Sequence, residues 1–237
     1  MKRFLLLIAL TFLAFNISCK KNTASPNDDS TVTDTDGNVY ETVTIGDQVW
    51  MAENLKVTHY RNGDEISNVI DNEDWFNITT GAYCSFNNDD SNIDTYGLLY
   101  NWYAVSDSRD LAPLGWHIPT DEEWKKLEIF IGMSQTEADD TSYRGTDEGG
   151  KLKETSTTHW LSPNEGATNS SGFSALPGGY LLSNGFFGLG TYGAWWSSST
   201  EDSNDHAWHR YLYYYTSDIY RNPSHKEDGF SVRCVKD

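Results

Sequence analysis

Three short blocks limit the possible folds of this 237-residue chain more than any other feature. They are GWHIPTDEEW at residues 115–124, WWSSST at residues 195–200 and GFSVRC at residues 229–234. In the first block, Thr120 and Glu123 have the spacing of a helix-capping box. Trp124, Leu127 and Ile131 then lie on one face of the helix that follows. The other two blocks are typical of strands. The three blocks therefore predict a helix and two aromatic strands that bury one another.

Alternating apolar and polar residues predict further strands. The predicted strands are residues 39–45, 48–51, 208–215, 219–221 and 230–234. Gly46-Asp47 separates the first two strands and is typical of a tight hairpin turn. A second helix is predicted near residues 95–105, and long loops are predicted over residues 132–174. The pattern predicts the α+β class, with short antiparallel strands, one or two helices and long loops.

The N-terminal part of the chain is predicted to lie outside this domain. An apolar stretch at residues 4–15 follows two basic residues and is shorter than the ~20 residues that span a bilayer, so it resembles a signal-peptide core. Cys19 follows the small residue Ser18 and resembles the lipidated cysteine of bacterial lipoproteins. The alternative is an ordinary secretory signal that is cleaved nearby. The predicted division is a signal peptide at 1–18, a flexible tether at 19–35 and a globular domain at 36–237.

Lipidation of Cys19 predicts a protein of the bacterial cell envelope, held by its N-terminal lipid in the outer membrane or at the cell surface. The chain carries a formal net charge of −18, which opposes nucleic acid and anionic membrane surfaces as partners. Cys84 and Cys234 are the two remaining cysteines. In an exported protein they can form a disulfide, and the alternative is two buried free thiols. Their spacing does not decide between these alternatives.

Seven stretches resemble, in order, the Fibrobacter succinogenes major paralogous domain, a family of bacterial surface and secreted proteins. The stretches are residues 36–55, 96–104, 115–124, 149–155, 172–180, 195–200 and 229–237. Many members of this family carry lipoprotein signals, and the family is not defined by an enzymatic activity. Many members also have a cysteine just before the Pro-x-Gly-Trp of the helix block, where this chain has Ala112. The resemblance therefore implies that Cys234 has lost a usual partner.

The helix block and the closing Gly-Phe-x-x-Arg are also similar to the formylglycine-generating-enzyme group, whose fold is C-type-lectin-like. A similar pattern occurs in the C-terminal domain of a bacterial collagen-like adhesin. Both similarities imply a C-type-lectin-like domain by analogy of fold alone. The oxidase members of the first group need a closely spaced cysteine pair, which Cys84 and Cys234 do not provide. No catalytic residue is predicted for this chain.

Two features of the sequence resemble metal sites. His206 and His209 are three residues apart, and on a strand such residues point to opposite faces, which favours surface histidines. The oxygen-rich segment at residues 87–94 could bind calcium, which takes six to eight oxygen ligands, but it matches no calcium-binding spacing. A solvated turn is the alternative there. No metal ligand or cofactor is predicted, and calcium remains open.

Aromatic side chains near the C-terminal end of the chain suggest a binding surface. The predicted ligand-binding residues are Trp195, Trp196, Asp205, Trp208, Tyr213 and Tyr215. Exposed Trp and Tyr rings stack on the C–H faces of sugars, while neighbouring polar groups bond the hydroxyls. The alternative is that the rings fill the core. The interpretation is a non-catalytic binding or adhesion domain for a glycan or another surface protein. A metal-dependent enzyme on the formylglycine-type scaffold and a structural part of an outer-membrane assembly are the alternative functions.

Overall fold

The computed structural model describes residues 30–201 and 205–237, so the predicted signal peptide and Cys19 lie outside the described residues. The strands are β1 Thr31–Thr33, β2 Val39–Ile45, β3 Gln48–Met51, β4 Ser67–Asn68, β5 Ala82–Cys84, β6 Leu99–Tyr100, β7 Trp116–His117, β8 Ser142–Arg144, β9 Gly178–Leu182, β10 Gly185–Leu189, β11 Tyr192–Thr200, β12 His206–Tyr213, β13 Ile219–His225 and β14 Val235–Lys236. The α-helices are α1 Asn72–Asn77, α2 Ile93–Tyr96, α3 Trp102–Val105, α4 Asp121–Phe130, α5 Gln135–Asp139 and α6 Glu148–Leu152.

The strands form three sheets. Their orders are β1-β2-β3-β14-β7, β10-β9-β11-β12-β13-β8 and β4-β5-β6. All neighbours are antiparallel except β9 with β11 and β4 with β5. The prediction of a mixed domain with mostly antiparallel sheets and few short helices is confirmed. The β2–β3 hairpin has the predicted bounds, and Gly46 in its turn has a φ of +66°, which glycine adopts without strain.

Helix α4 begins as the capping box predicts. The Thr120 hydroxyl accepts from the Glu123 backbone N–H at 3.3 Å, and the Glu123 carboxylate accepts from the Thr120 N–H at 2.8 Å. The helix ends at Phe130, so Ile131 is its C-cap rather than a helical residue. The described residues contain six α-helices and two 3-10 helices, Phe86–Asn88 and Asp90–Asn92, instead of one or two helices. The helix predicted near residues 95–105 is two four-residue helices, because Gly97 ends the first with a φ of +75°.

Helix α4 is held to the second sheet by buried ion pairs. Asp121 accepts hydrogen bonds from Arg221 at 3.0 and 2.6 Å and from Arg210. Glu128 accepts a bidentate pair from Arg144 at 2.7 and 2.8 Å and a third bond from Arg210 at 3.0 Å. All five side chains are buried. The carboxylates of α4 therefore have structural partners, which fix the helix against one face of the sheet.

The order begins earlier in the chain than predicted. Strand β1 lies within the predicted tether and pairs with β2, and Val32 packs against the core. Asp34 is buried and accepts a hydrogen bond from the Tyr40 hydroxyl at 2.6 Å. Residues 31–33 of the predicted tether therefore form a strand of the first sheet. The polar composition of this segment predicts a flexible chain, but backbone pairing with β2 makes it a strand.

The segment at residues 229–236 connects the three sheets. Gly229 pairs with Leu181 of β9, Phe230 with Tyr100 of β6, and Val235 with β3 and β7. The predicted strand over residues 230–234 is not a regular strand: residues 229–231 form isolated bridges to β9, β6 and β11, and only Val235–Lys236 form a strand. The predicted alternation of side chains is nevertheless present: Phe230, Val232 and Cys234 lie in one hydrophobic cluster, and Val235 lies in another.

Candidate functional site: a band of tyrosines on the second sheet

The two faces of β12 have different roles. Arg210 and Leu212 point towards α4, since Arg210 contacts Asp121 and Leu212 packs in the cluster that contains Trp124. His209, Tyr211 and Tyr213 alternate with them and point to the opposite face. On this face Tyr211 and Tyr213 remain partly exposed, whereas His209 is buried. The face away from α4 is therefore the surface of the sheet that is available for binding.

This surface carries a continuous set of tyrosines that we call the tyrosine band. The band consists of Tyr143, Tyr180, Tyr192, Tyr211, Tyr213 and Tyr220. They come from five strands, β8, β9, β11, β12 and β13. None of the six rings is fully buried, and the side chain of Tyr143 at the edge is 48 % exposed. The band crosses most of the width of the six-stranded sheet.

Strand register places the rings against one another. Tyr211 lies directly opposite Tyr220, with ring centroids 4.1 Å apart and planes 17° apart. Tyr192 lies opposite Tyr213, with centroids 4.5 Å apart and planes 20° apart. Tyr143 packs edge-on against Tyr220 at 5.0 Å, and its hydroxyl lies 2.9 Å from that of Tyr211. Directly paired residues on one face of a sheet have close Cβ atoms, so the stacking follows from the register.

Four tyrosines of the band have hydroxyls that stay protonated at neutral pH. Burial raises the pKa of Tyr180, Tyr192, Tyr211 and Tyr220 above the ordinary value. For Tyr211 the hydrogen bond to Tyr143 raises it further. Each protonated phenol can donate one hydrogen bond and accept others, and each ring offers an apolar face. The band thus combines stacking surfaces with uncharged hydrogen-bonding groups.

A cavity of about 230 Å³ opens beside the band. Residues that line it include Tyr180, Tyr211, His209, Asn222, Ser224 and Phe230. The His209 ring stacks on Phe230, with centroids 4.8 Å apart and planes 18° apart. Burial, together with the positive charge of Arg210, lowers the pKa of His209 to about 3, and a hydrogen bond to the Asn222 backbone opposes this shift. His209 is therefore a neutral imidazole at physiological pH.

Two of the predicted binding residues are core residues, and the prediction is wrong for them. Trp195 packs against Trp124 of α4, and its indole N–H donates to the Asn54 side chain at 2.8 Å. Trp196 packs on Phe230, with centroids 4.5 Å apart. Both side chains are buried. Strand β11 is covered on both faces at this point, so alternation could not expose either ring.

Trp208 and Asp205 also lie apart from the band. Trp208 is half-buried on the α4 side of β12, where the Arg221 guanidinium lies 3.7 Å from its ring centroid. Asp205 is exposed just before β12. Tyr213 is a member of the band, and Tyr215, which is 58 % exposed, lies 6.3 Å from it between ring centroids. Of the six predicted residues, the structure brings only the last two to this surface.

The sequence interpretation missed most of the band. Tyr192 and Tyr220 flank the aromatic stretch that it used, and their alternation with β-strand neighbours was a usable signal. Tyr143 and Tyr180 lie on strands far from this stretch in sequence, and sheet topology alone brings them to it. No local pattern marks these two residues as neighbours of Tyr211.

The remaining polar features have local explanations. A second cavity, of about 470 Å³, is lined by His59 and Glu65, and the His59 Nδ1 lies 2.7 Å from the Asp36 carboxylate. Burial alone would raise the pKa of Asp36, but hydrogen bonds from Thr58 and His59 lower it. Residues 30–201 and 205–237 contain no group of three or more His, Cys, Asp or Glu side chains that could hold a metal ion. No helix in the described part of the chain is long and apolar enough to cross a membrane.

Both domain cysteines are free thiols. Cys84 and Cys234 are buried, and burial raises the pKa of each thiol. The alternative of two buried thiols is therefore confirmed, and the disulfide is not formed. His206 and His209 lie on opposite faces of β12, as predicted: His206 packs against His225, and His209 packs against Phe230. Only His206 is partly exposed, and the prediction of a surface histidine is wrong for His209, which the rings of Trp196 and Phe230 help to bury.

The fold and the tyrosine-lined surface define a mixed α/β domain of mostly antiparallel sheets with one open aromatic face. The sequence model of the Fibrobacter succinogenes major domain matches residues 43–236. The chain belongs to this family, and the resemblance seen in the sequence is confirmed. A search of the curated proteins found no match, and neither did a search of the solved structures.

Proposed function

We propose that this protein is a non-catalytic binding domain and that the tyrosine band holds a carbohydrate. The observation that carries the proposal is the band itself: six partly exposed tyrosines from five strands, stacked into one surface. Soluble proteins seldom keep a contiguous aromatic surface without a use for it. Here the register of five strands maintains that surface.

The chemistry of the band suits sugars. Pyranose rings present apolar C–H faces, which pack on aromatic rings, and hydroxyls, which exchange hydrogen bonds with phenols. The rings of the pairs Tyr211–Tyr220 and Tyr192–Tyr213 are nearly parallel, so each pair places two hydroxyls side by side above a rigid aromatic base. The band contains no charged side chain, which favours a neutral glycan.

The band is also fixed before a ligand arrives. Its rings are stacked on one another and attached to paired strands, and a tyrosine has only two side-chain torsions. Little conformational entropy is therefore lost on binding. A surface of this kind can bind a weakly hydrophobic ligand such as a glycan without a moving lid.

The test is a glycan array with the purified chain, in the presence and absence of calcium, followed by calorimetry with the best-bound glycan. We expect binding without calcium. Tyr143→Ala and Tyr220→Ala should each weaken binding about tenfold, because each removes a stacking surface. The control is Tyr103→Ala, since Tyr103 lies on α3 and bonds to Glu227 away from the band. A blank array, or band variants that bind as well as the control, would refute the proposal.

We further propose that the domain is anchored in the bacterial cell envelope through a lipid on Cys19, at the outer membrane or cell surface. The support is the signal-like residues 1–18 with a small residue before Cys19. Two or three acyl chains anchor a protein far more firmly than one. Cys19→Ala should move the protein from the membrane fraction to the soluble fraction. Unchanged fractionation would contradict the anchor.

The finer fold assignment is also a proposal. We infer a C-type-lectin-like fold from the block that begins α4 and from the closing Gly-Phe-x-x-Arg, which resemble those of the formylglycine-generating-enzyme group. An experimental structure compared with members of that group tests it. A different order of strands in the sheets would contradict it.

A further inference from the structure

The small side chain of Ala194 makes room for the cavity beside the tyrosine band. On this face of the sheet Ala194 follows Tyr192 along β11 and lies opposite Tyr211 of β12. A single methyl group therefore occupies a position whose neighbours along and across the strands carry rings. Ala194 is buried and belongs to the lining of the cavity. The register of the strands thus places a recess within an aromatic surface.

Asn222 brings a side-chain amide to the same cavity. It lies two residues after Tyr220 on β13, so both side chains point to the face that carries the band. The Asn222 side chain is half-buried and lines the cavity. Within residues 30–201 and 205–237 its amide takes part in no hydrogen bond. Asn222 therefore offers both a donor, the Nδ2 group, and an acceptor, the Oδ1 atom, to a ligand.

The other polar groups of the cavity are uncharged. Ser224 lines it, and the Ser224 hydroxyl donates to the buried carboxylate of Asp228 at 2.6 Å. Tyr180, Tyr211 and Tyr220 keep their phenolic protons at neutral pH, because burial raises the pKa of each. The described part of the lining includes no aspartate, glutamate, lysine or arginine. A charged substituent would lose its water here without gaining a counter-charge, so the cavity favours a neutral one.

Apolar groups form much of the remaining lining. They are the side chains of Leu182, Ala194, Pro223 and Phe230, together with the faces of the tyrosine rings. A sugar hydroxyl placed against these groups would lose its hydrogen bonds to water and gain none in return. A methyl group in the same place would gain from the release of water. The cavity therefore fits a substituent that joins a methyl group to a neutral hydrogen-bonding group.

We propose that the cavity holds the acetamido group of an N-acetylhexosamine. The acetyl methyl packs against the apolar walls, and the acetamido carbonyl accepts a hydrogen bond from the Nδ2 of Asn222. The volume of about 230 Å³ lies below the ~300–1,000 Å³ of sites for drug-sized ligands, which suits one substituent and part of its ring. The rest of the glycan extends over the tyrosine band. This inference therefore rests on the proposed carbohydrate binding and adds a specificity to it.

The first test compares sugars that differ only at carbon 2. The unaltered chain is titrated by calorimetry with the methyl β-glycosides of N-acetylglucosamine, glucose and glucosamine, and with the corresponding three glycosides of the galactose series. In at least one series the N-acetylated glycoside should bind about tenfold more tightly than the other two. The parent sugar lacks the methyl and the amide, and the amino sugar carries a protonated amine that the cavity does not neutralise.

The second test removes the amide of Asn222. Asn222→Ala should weaken binding of the N-acetylated glycoside by about tenfold and leave binding of the parent sugar unchanged. Tyr143→Ala, at the edge of the band and outside the lining of the cavity, should instead weaken both sugars by the same factor. The matched control is Asn68→Ala, because Asn68 is exposed on β4 of the third sheet. This control should bind as the wild type does.

The outcomes separate the two proposals. If the acetylated and parent sugars bind equally well and Tyr143→Ala weakens both, the acetamido pocket is refuted and carbohydrate binding by the band stands. If none of the sugars binds, both proposals are refuted. A preference for the acetylated sugar that survives in Asn222→Ala would overturn the role of that residue. If Nε-acetyl-lysine methylamide, which carries the same acetamido group without a sugar, binds as tightly as the acetylated glycoside, the assignment to an N-acetylhexosamine is wrong.

Discussion

Replacement of Asp228 by asparagine should stabilise this protein at neutral pH. Asp228 is 5 % exposed, and its carboxylate accepts a hydrogen bond from Ser224 at 2.6 Å. Burial raises the pKa of Asp228 to about 6, against the opposing effect of Ser224. The folded protein must therefore hold a charge at pH 7 in a place that favours the neutral acid. Asparagine has the same shape, keeps an oxygen that can accept from Ser224, and carries no charge.

The magnitude follows from the shift in pKa. The ordinary pKa is 3.8, and a folded-state pKa of about 6 lies roughly two units higher. Each unit corresponds to about 1.4 kcal/mol. Between pH 4 and pH 6 the folded state binds the proton more tightly than the unfolded chain does. The stabilisation from the neutral Asp228 is therefore complete below pH 4 and is lost as the pH rises through 6, which amounts to about 3 kcal/mol at pH 7.

The assay is urea unfolding, followed by tryptophan fluorescence, of the wild-type protein and Asp228→Asn from pH 4 to pH 8. The variant should exceed the wild type by up to about 3 kcal/mol in free energy of unfolding at pH 7, and the two should converge near pH 4. The control is Asp94→Asn. The Asp94 side chain is 98 % exposed and lies 3.8 Å from Lys56, so the difference should stay within about 0.5 kcal/mol at every pH.

Two results would refute this reasoning. One is a variant that is no more stable than the wild type at pH 7. The other is a gain that does not shrink as the pH falls to 4, since a gain independent of pH would come from packing rather than from removal of a charge. Equal slopes of the unfolding free energy against urea concentration are required for either comparison, because a changed slope indicates a changed unfolded state.

Three further predictions concern the buried ion pairs, the two cysteines and the cap of α4. Glu128→Gln should lower the free energy of unfolding by about 3–5 kcal/mol, because it leaves two buried arginines without a full counter-charge. The control is Glu122→Gln on the exposed side of the same helix, which should change the free energy of unfolding by less than about 0.5 kcal/mol. Urea unfolding measures both variants. Cys84 and Cys234 should not react with a thiol reagent in the folded protein, because burial raises the pKa of each thiol, and both should react in urea. Mass spectrometry counts the modified cysteines. Reaction of either cysteine without denaturant would contradict the prediction. Thr120→Ala should destabilise the protein by about 1 kcal/mol through loss of the helix cap, and an unchanged thermal midpoint would speak against that contribution.

Local patterns predicted the local parts of this fold well. The β2–β3 hairpin follows from alternation around Gly46, and the start of α4 follows from the pair Thr120 and Glu123. Each of these signals is contained in fewer than fifteen residues. The physical causes, a turn that needs a positive φ and helix N–H groups that need acceptors, are equally local. The α+β class of the domain could be inferred because it depends only on such local strand and helix signals.

The surface could not be predicted in this way, because burial depends on what covers each face. Trp195 and Trp196 alternate as a strand should, yet α4 covers one ring and Phe230 the other. Tyr143 joins Tyr211 only because β8 pairs with the far side of β13. The order of strands in the sheet decides both outcomes, and no short window of sequence contains it.

Residues 229–236 pair with all three sheets, and this pairing affects how the protein folds during translation. These residues leave the ribosome after every other strand and helix of the domain. Until Gly229, Phe230 and Val235 are available, each sheet lacks a partner that it has in the native structure. We therefore expect the nascent chain to remain incompletely folded until this segment has been translated. A stop codon or a proteolytic cut before residue 229 would accordingly disable the whole domain rather than trim one edge of it.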